Sequence, residues 1–155
     1  MRRIVAIVAV LALVSLFPVL GGGKPPDNPQ PRLGPRQRDK VKDLMQHKLT
    51  HAQKVLEGIA LEDYTKIAQE AEELVLVSKR AEWLVVHTPK YELHSNEFRQ
   101  AAEDLISNAK KHKLEAATLS YMEMTMSCVK CHKYVREIQE ARMGSEDERP
   151  RWARR

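Results

Sequence analysis

The sequence contains few cysteines and few aromatic residues, and both shortages limit what the chain can be. Aromatic residues make up only 5% of the 155 residues, which is little for a β-rich core because strands favour aromatic and β-branched side chains. Only two cysteines are present. A structural zinc site needs four ligands, and neither a second cysteine pair nor a paired-histidine motif supplies the rest. The length suits one domain with terminal extensions.

The chain also lacks a concentrated basic region. Its formal net charge of +5 includes two arginines, at positions 2 and 3, that lie in a segment processing can remove. Nucleic-acid-binding proteins normally carry a basic patch or stripe. Four arginines between residues 149 and 155 form a short basic run, which we interpret as a solvated tail. We therefore expect no nucleic-acid partner.

The amino terminus combines a basic start with a long apolar run. Arginines at positions 2 and 3 precede an almost unbroken apolar stretch over residues 4–20. This order is typical of a secretory signal peptide, although no clear Ala-x-Ala cleavage site follows. The stretch also lies near the lower length limit for a membrane-spanning helix. We interpret residues 1–23 as a signal peptide or an uncleaved membrane anchor, and expect an exported, periplasmic protein. No cysteine follows that could attach a lipid.

Between this segment and the predicted domain lies a linker. Residues 21–35 hold five prolines and four glycines, and proline cannot occupy a helix interior because it lacks an amide donor. We interpret residues 24–35 as a semi-rigid linker, 36–143 as the folded domain and 144–155 as a charged, disordered tail.

The folded domain has helical periodicity almost throughout. Apolar residues recur at three- and four-residue spacing in four segments, which predicts four amphipathic helices and no strand. We expect the first over about 36–57, the second from near Glu62 to Thr88, the third from an N-cap at Ser95, and the fourth to about Arg142 with Gly144 ending it. Short connections predict antiparallel neighbours, so the expected fold is all-α, an up-down-up-down four-helix bundle.

Both cysteines belong to one motif near the end of the fourth helix. The sequence Cys128-Val129-Lys130-Cys131-His132 is the Cys-x-x-Cys-His pattern of c-type haem attachment. On a helix, Cys131 lies about 60° from Cys128, and His132 about 40° from Cys128 on the other side. Two thiols on one face can form thioethers to a porphyrin edge while the adjacent imidazole reaches the iron. The motif predicts one covalent haem c with His132 as an iron ligand.

Two other uses of the cysteines are less consistent with the sequence. A redox disulfide of the Cys-x-x-Cys type normally lies in a βαβ unit, which this chain lacks. The zinc site lacks its remaining ligands, as noted above. Haem attachment takes place outside the bacterial cytoplasm, so the export signal supports the haem interpretation independently.

The combination of helices and motif resembles the cytochrome c′ family. The stretch from Cys128 to Arg136 is similar to that family's last-helix motif, including an arginine shortly after the histidine, and the resemblance covers about residues 36–142. It implies a four-helix bundle and suggests that Arg136 approaches a haem propionate. Family members are often homodimers that pair through their first two helices. Some are low-spin electron carriers with a methionine from the first helix as sixth ligand; others are five-coordinate and bind small gases.

The sixth iron ligand therefore decides the function. Met45 lies on the inward stripe of the first helix, similar to the ligand methionine of low-spin members, although packing in the core would also explain it. His47 should face solvent, and His51 is a poorer candidate that would make the iron bis-His. Met122, Met124 and Met126 are expected to fill gaps in the core.

We expect a low-spin His/Met electron carrier rather than an enzyme. Ligation by His132 and Met45 would leave no vacant iron position. The alternative is a five-coordinate protein that binds NO or CO. Lys130 lies within the motif and Lys133 directly follows it, and both could steer an acidic redox partner of unknown identity.

Overall fold

The computed structural model describes residues 33–147, which form four α-helices and no strand. The helices are α1 (Pro35–Ala60), α2 (Tyr64–Ser78), α3 (Pro89–Lys110) and α4 (Leu114–Asp147), with a 3₁₀ turn at Ala81–Trp83. This all-helical arrangement is consistent with a four-helix bundle. The predicted signal segment, most of the linker and the end of the predicted tail lie outside the described residues. Within residues 33–147, no helix is apolar over a length that could cross a membrane.

Proline residues and side-chain caps mark the starts of the first three helices. Pro35 occupies the first turn of α1, where a missing amide donor costs nothing. The Asp63 side chain accepts a hydrogen bond from the Lys66 amide and caps α2. Thr88 caps α3 in the same way by accepting from the Tyr91 amide, and Pro89 follows at the first helical position.

The second and third helices have different bounds from those predicted. α2 ends at Ser78, about ten residues early, and α3 begins at Pro89 instead of after Ser95. Thr88 and Pro89 start α3 rather than merely stopping α2. Ser95 is not a cap but a buried residue whose hydroxyl accepts a hydrogen bond from the Trp83 indole at 2.9 Å. The intervening segment leaves the helix so that Trp83 can be buried.

The end of α4 also differs from the prediction. The helix continues through Gly144 to Asp147, so residues 144–147 are helical rather than part of a disordered tail. Glycine lowers helix stability by about 1 kcal/mol relative to alanine but does not by itself end a helix.

The core lies between the helices and contains many small side chains. Six of its buried residues are alanines, which lets the helices approach closely. Three large aromatic side chains are buried among them: Trp83, Tyr91 and Phe98. Of the three methionines expected in the core, only Met124 lies there; Met122 and Met126 are about half exposed. The prediction was wrong for these two because they lie on the opposite side of α4.

Consecutive helices pack closely, whereas the first and last touch each other little. His51 Nδ1 of α1 lies 2.6 Å from Glu70 Oε2 of α2, and Lys110 of α3 contacts Glu72 of α2. Asn108 of α3 donates to Ser120 of α4 at 3.0 Å. No comparable contact area joins α1 to α4 within residues 33–147. The described bundle therefore has one weakly closed seam, between α1 and α4.

Gly58 is expected to be intolerant of a side chain, although alanine normally favours a helix. A Cβ atom there would lie 2.9 Å from Ile67 Cγ1 and 3.2 Å from the Ile67 backbone nitrogen. We expect Gly58→Ala to lower the free energy of unfolding by about 1–3 kcal/mol through overpacking. Urea unfolding followed by circular dichroism measures this change. Gly144→Ala is the matched control because nothing lies within 4 Å of its Cβ; equal effects at the two sites would contradict the packing argument.

Candidate functional site

The motif lies within α4, as predicted, and presents two free thiols. Cys128 and Cys131 are both unpaired and half-buried, and both pack against the hydrophobic core. The Cys128 thiol donates to the Met124 carbonyl at 3.3 Å. His132 is exposed. The thiols thus lie at the edge of the core, with the imidazole further out on the same half of the helix.

Contacts with α3 hold this part of α4 in place. The hydroxyl groups of Tyr134 and Thr88 are hydrogen-bonded at 2.8 Å, and the Tyr134 ring packs edge-on against His94, with ring centres 5.9 Å apart. Lys130 Nζ lies 3.8 Å from Glu97 Oε2. These contacts lie on one side of α4 and leave the side that bears Cys128 and His132 free to face the seam with α1.

The structure adds one residue to the site that the sequence analysis missed, the buried Lys48 of α1. Its side chain is only 7% exposed, and its Nζ lies 4.0 Å from the centre of the Phe98 ring and 4.5 Å from that of Trp83. Cys128 and Cys131 are close enough to act on the charge of its ammonium group. The signal was present in the sequence, because Lys48 lies four residues after Leu44 and four before Ala52 on the apolar stripe.

Burial dominates the electrostatics of this cluster. Desolvation lowers the pKa of Lys48, although the neighbouring Cys128 and Cys131 oppose the shift. Burial raises the pKa of the Cys131 thiol, against the effect of Lys48. No carboxylate forms an ion pair with Lys48 in the described part of the chain. A buried cation without an acidic partner is costly. The rings of Phe98 and Trp83 lie close to this one, and the thiols of Cys128 and Cys131 are near it.

His132 is suited to bind a metal as a neutral imidazole. Partial desolvation lowers its pKa, and the positive charges of Lys48 and Arg136 lower it further. Neutral imidazole is the form that ligates metals. Arg136 is exposed one turn beyond His132 on the same helix, and residues four positions apart are neighbours on a helix surface.

The three candidates for a sixth ligand lie in different environments. Met45 is half-buried and packs against the core, on the side of α1 turned away from α2. His47 is exposed, as predicted, with its Nδ1 3.1 Å from the Asp43 carbonyl oxygen. His51 instead faces α2 and is engaged with Glu70. Of these three, Met45 alone lies on the side of α1 that borders the seam with α4.

The side of α1 that borders the seam is apolar. Met45, Leu49, Ala52 and Leu56 recur there at helical spacing, and Leu49 and Leu56 remain about half exposed. On α4, Cys128 and His132 face the same seam. An apolar border beside two thiols and an imidazole matches the chemistry that a covalently attached haem requires.

Two other features of the described residues do not coincide with the motif. A groove of about 580 Å³ opens between the end of α2 and the start of α3, where Trp83, Tyr91 and Arg99 line it; neither cysteine does. Within residues 33–147 no three His, Cys, Asp or Glu side chains converge to hold a bare metal ion.

Comparison with known proteins does not add to these observations. No protein-family model, curated protein or solved structure matches this chain. The functional interpretation therefore rests on the motif, the helices and the chemistry of the site.

Proposed function

We propose that the chain is an exported c-type cytochrome, in which Cys128 and Cys131 attach one haem c and His132 ligates its iron. The observation that carries this proposal is the pair of free, half-buried thiols three residues apart on one helix, followed directly by an imidazole of lowered pKa. The thiols border the weakly closed seam between α1 and α4. When bound, the haem supplies one-electron chemistry at its iron.

The proposed fold is the antiparallel bundle of the cytochrome c′ family. Contacts between α3 and α4 support antiparallel packing: Asn108 meets Ser120 near the turn, and Glu97 meets Lys130 farther from it. Between α1 and α2, Glu57 meets Lys66 near the turn and His51 meets Glu70 farther away. In each pair of helices, a contact farther from the connecting turn joins an earlier residue of the first helix to a later residue of the second. Antiparallel packing requires this order.

We propose electron transfer as the activity, with Met45 as the sixth ligand. Its half-buried position on the seam side of α1 supports this role, since a thioether there lies on the helix whose Lys48 is near Cys128. Iron held by methionine and histidine together would have a raised reduction potential and would leave no free position for another ligand. Lys130 is exposed within the motif and would attract an acidic redox partner.

Spectroscopy of a Met45→Ala variant tests the sixth ligand. We expect the wild-type protein to be low-spin, and the variant to become high-spin and to bind carbon monoxide at least about tenfold more tightly, because Met45 would no longer compete for the iron. Met143→Ala, at an exposed methionine of α4, is the control and should leave the spectrum unchanged. A wild-type protein that binds carbon monoxide readily at neutral pH would instead favour the gas-binding function.

Export belongs to the same proposal because haem attachment takes place outside the cytoplasm. Residues 1–23 would direct the chain to the periplasm, either cleaved or retained as an anchor. Mass spectrometry of the purified protein distinguishes the two by its amino terminus. Recovery of the full chain from the cytoplasm, without haem, would contradict export.

A further inference from the structure

α4 carries a second surface on the side facing away from the core. Leu119, Met122, Met126 and Val129 are 66%, 54%, 52% and 53% exposed, whereas Met124 on the opposite side of the helix is buried. Single exposed apolar residues are ordinary, but a continuous row on one helix commonly marks an interaction surface. We call these four residues the outer stripe.

The spacing of the outer stripe is that of a helix that pairs with another helix. Its residues are separated by three, four and three positions, which is the a/d spacing of a coiled-coil seam. The next two positions of the same row are Glu115, four residues before Leu119, and Lys133, four residues after Val129. Both are exposed. The row therefore has an acidic residue at one end and a basic residue at the other.

We propose that two copies of the chain associate through the outer stripe, with their α4 helices antiparallel. If the two-fold axis of the dimer passes between the two helices at the level of Met124, Leu119 contacts Val129 of the second copy. Met122 then contacts Met126 of the second copy. The same axis brings Glu115 opposite Lys133 of the second copy, twice per dimer. A parallel pair would place Glu115 against Glu115 and Lys133 against Lys133, and like charges facing each other are destabilising.

The apolar part of this interface is separate from the proposed haem site, although its Lys133 directly follows His132. The thiols of Cys128 and Cys131 lie on the core-facing half of α4, opposite the stripe. It also differs from the pairing through the first two helices that the family resemblance implies. Four apolar side chains from each copy bury less than a standard interface does, so we expect a weak dimer with a Kd on the order of micromolar.

Sedimentation velocity of the processed, full-length protein over a range of concentrations tests the surface. We expect Met126→Glu to raise the Kd by about 100-fold, because it places a carboxylate among apolar side chains. Leu93→Glu is the control, since Leu93 is exposed to a similar degree on α3 and lies outside the stripe. A chain that stays monomeric throughout, or a dimer that Met126→Glu leaves intact, overturns the proposal.

Charge reversal tests the orientation. In the antiparallel dimer, Glu115→Lys creates two Lys–Lys contacts and should raise the Kd by about fivefold or more, as should Lys133→Glu. The double variant Glu115→Lys/Lys133→Glu restores both attractive pairs and should return the Kd to the wild-type value. A parallel dimer would be unchanged by either single reversal, and that result would reject the antiparallel arrangement. Haem content stays constant in these variants and shows that the haem site is intact.

Discussion

Replacement of both motif cysteines, Cys128→Ala with Cys131→Ala, is expected to abolish covalent haem attachment completely. The proposed thioether bonds would have no other source, because these are the only two cysteines in the sequence. Helical content should persist, since both side chains are only half-buried and alanine is a strong helix former. Haem-dependent staining of a denaturing gel measures the covalent bond, and circular dichroism measures the helices.

Lys130→Gln is the matched control for this experiment. It alters an exposed position inside the motif without removing a thiol or the imidazole, so haem attachment should match that of the wild-type protein. Each single cysteine variant retains one possible thioether and should give reduced staining. Haem that remains on the denatured double variant would show that the attachment site lies elsewhere, and wild-type protein without haem after export would favour a thiol redox function.

Substitution of Lys48 should produce the largest changes in stability. In the polypeptide without attached haem, Lys48→Glu places a carboxylate at a position that is 7% exposed and has no acidic or basic partner. We expect a loss of about 3–5 kcal/mol in the free energy of unfolding. Lys48→Met keeps the volume and removes the buried charge, so it should be neutral or stabilising by up to about 2 kcal/mol. Urea unfolding separates these outcomes.

The pH dependence of stability gives an independent measure of the same burial. Burial lowers the pKa of Lys48 in the folded protein below its ordinary value of 10.5. At pH values between the pKa of the folded state and that of the unfolded state, the unfolded chain therefore binds more protons than the folded one. Wild-type stability should therefore rise with pH in that window relative to Lys48→Met. Tyr91 acts in the opposite sense, since burial raises its pKa to about 12, but it is present in both proteins and cancels in the comparison.

An exposed lysine on the same helix serves as the control for both measurements. Lys42 of α1 is exposed, and Lys42→Met and Lys42→Glu should each change stability by less than about 0.5 kcal/mol. Equal effects at positions 42 and 48 would mean that Lys48 is not buried in solution. A Lys48→Met variant that loses several kcal/mol would instead show that the ammonium group itself stabilises the fold.

Local patterns were enough to predict several features of this chain. Periodic apolar residues predicted four helices and no strand in the region that the structure describes, because the spacing of apolar residues directly reflects the amphipathicity of a helix. The position of Cys128, Cys131 and His132 on one face of a helix follows from 3.6 residues per turn, so no tertiary contact was needed to predict it. The exposure of His47 was predicted in the same way.

Features that depend on competition between distant residues could not be predicted in this way. Trp83 is buried against Phe98, and its indole donates a hydrogen bond to the Ser95 hydroxyl. This packing accompanies the early end of α2 and makes Ser95 a core residue instead of a cap. Met124 is buried while Met122 and Met126 are exposed because α3 packs against only one side of α4. Lys48 lies near Cys128 because α1 meets α4 at this point across an otherwise weakly closed seam. Residue spacing determines which side chains share a helix face, whereas the packing of the other helices decides which face is buried and what it touches.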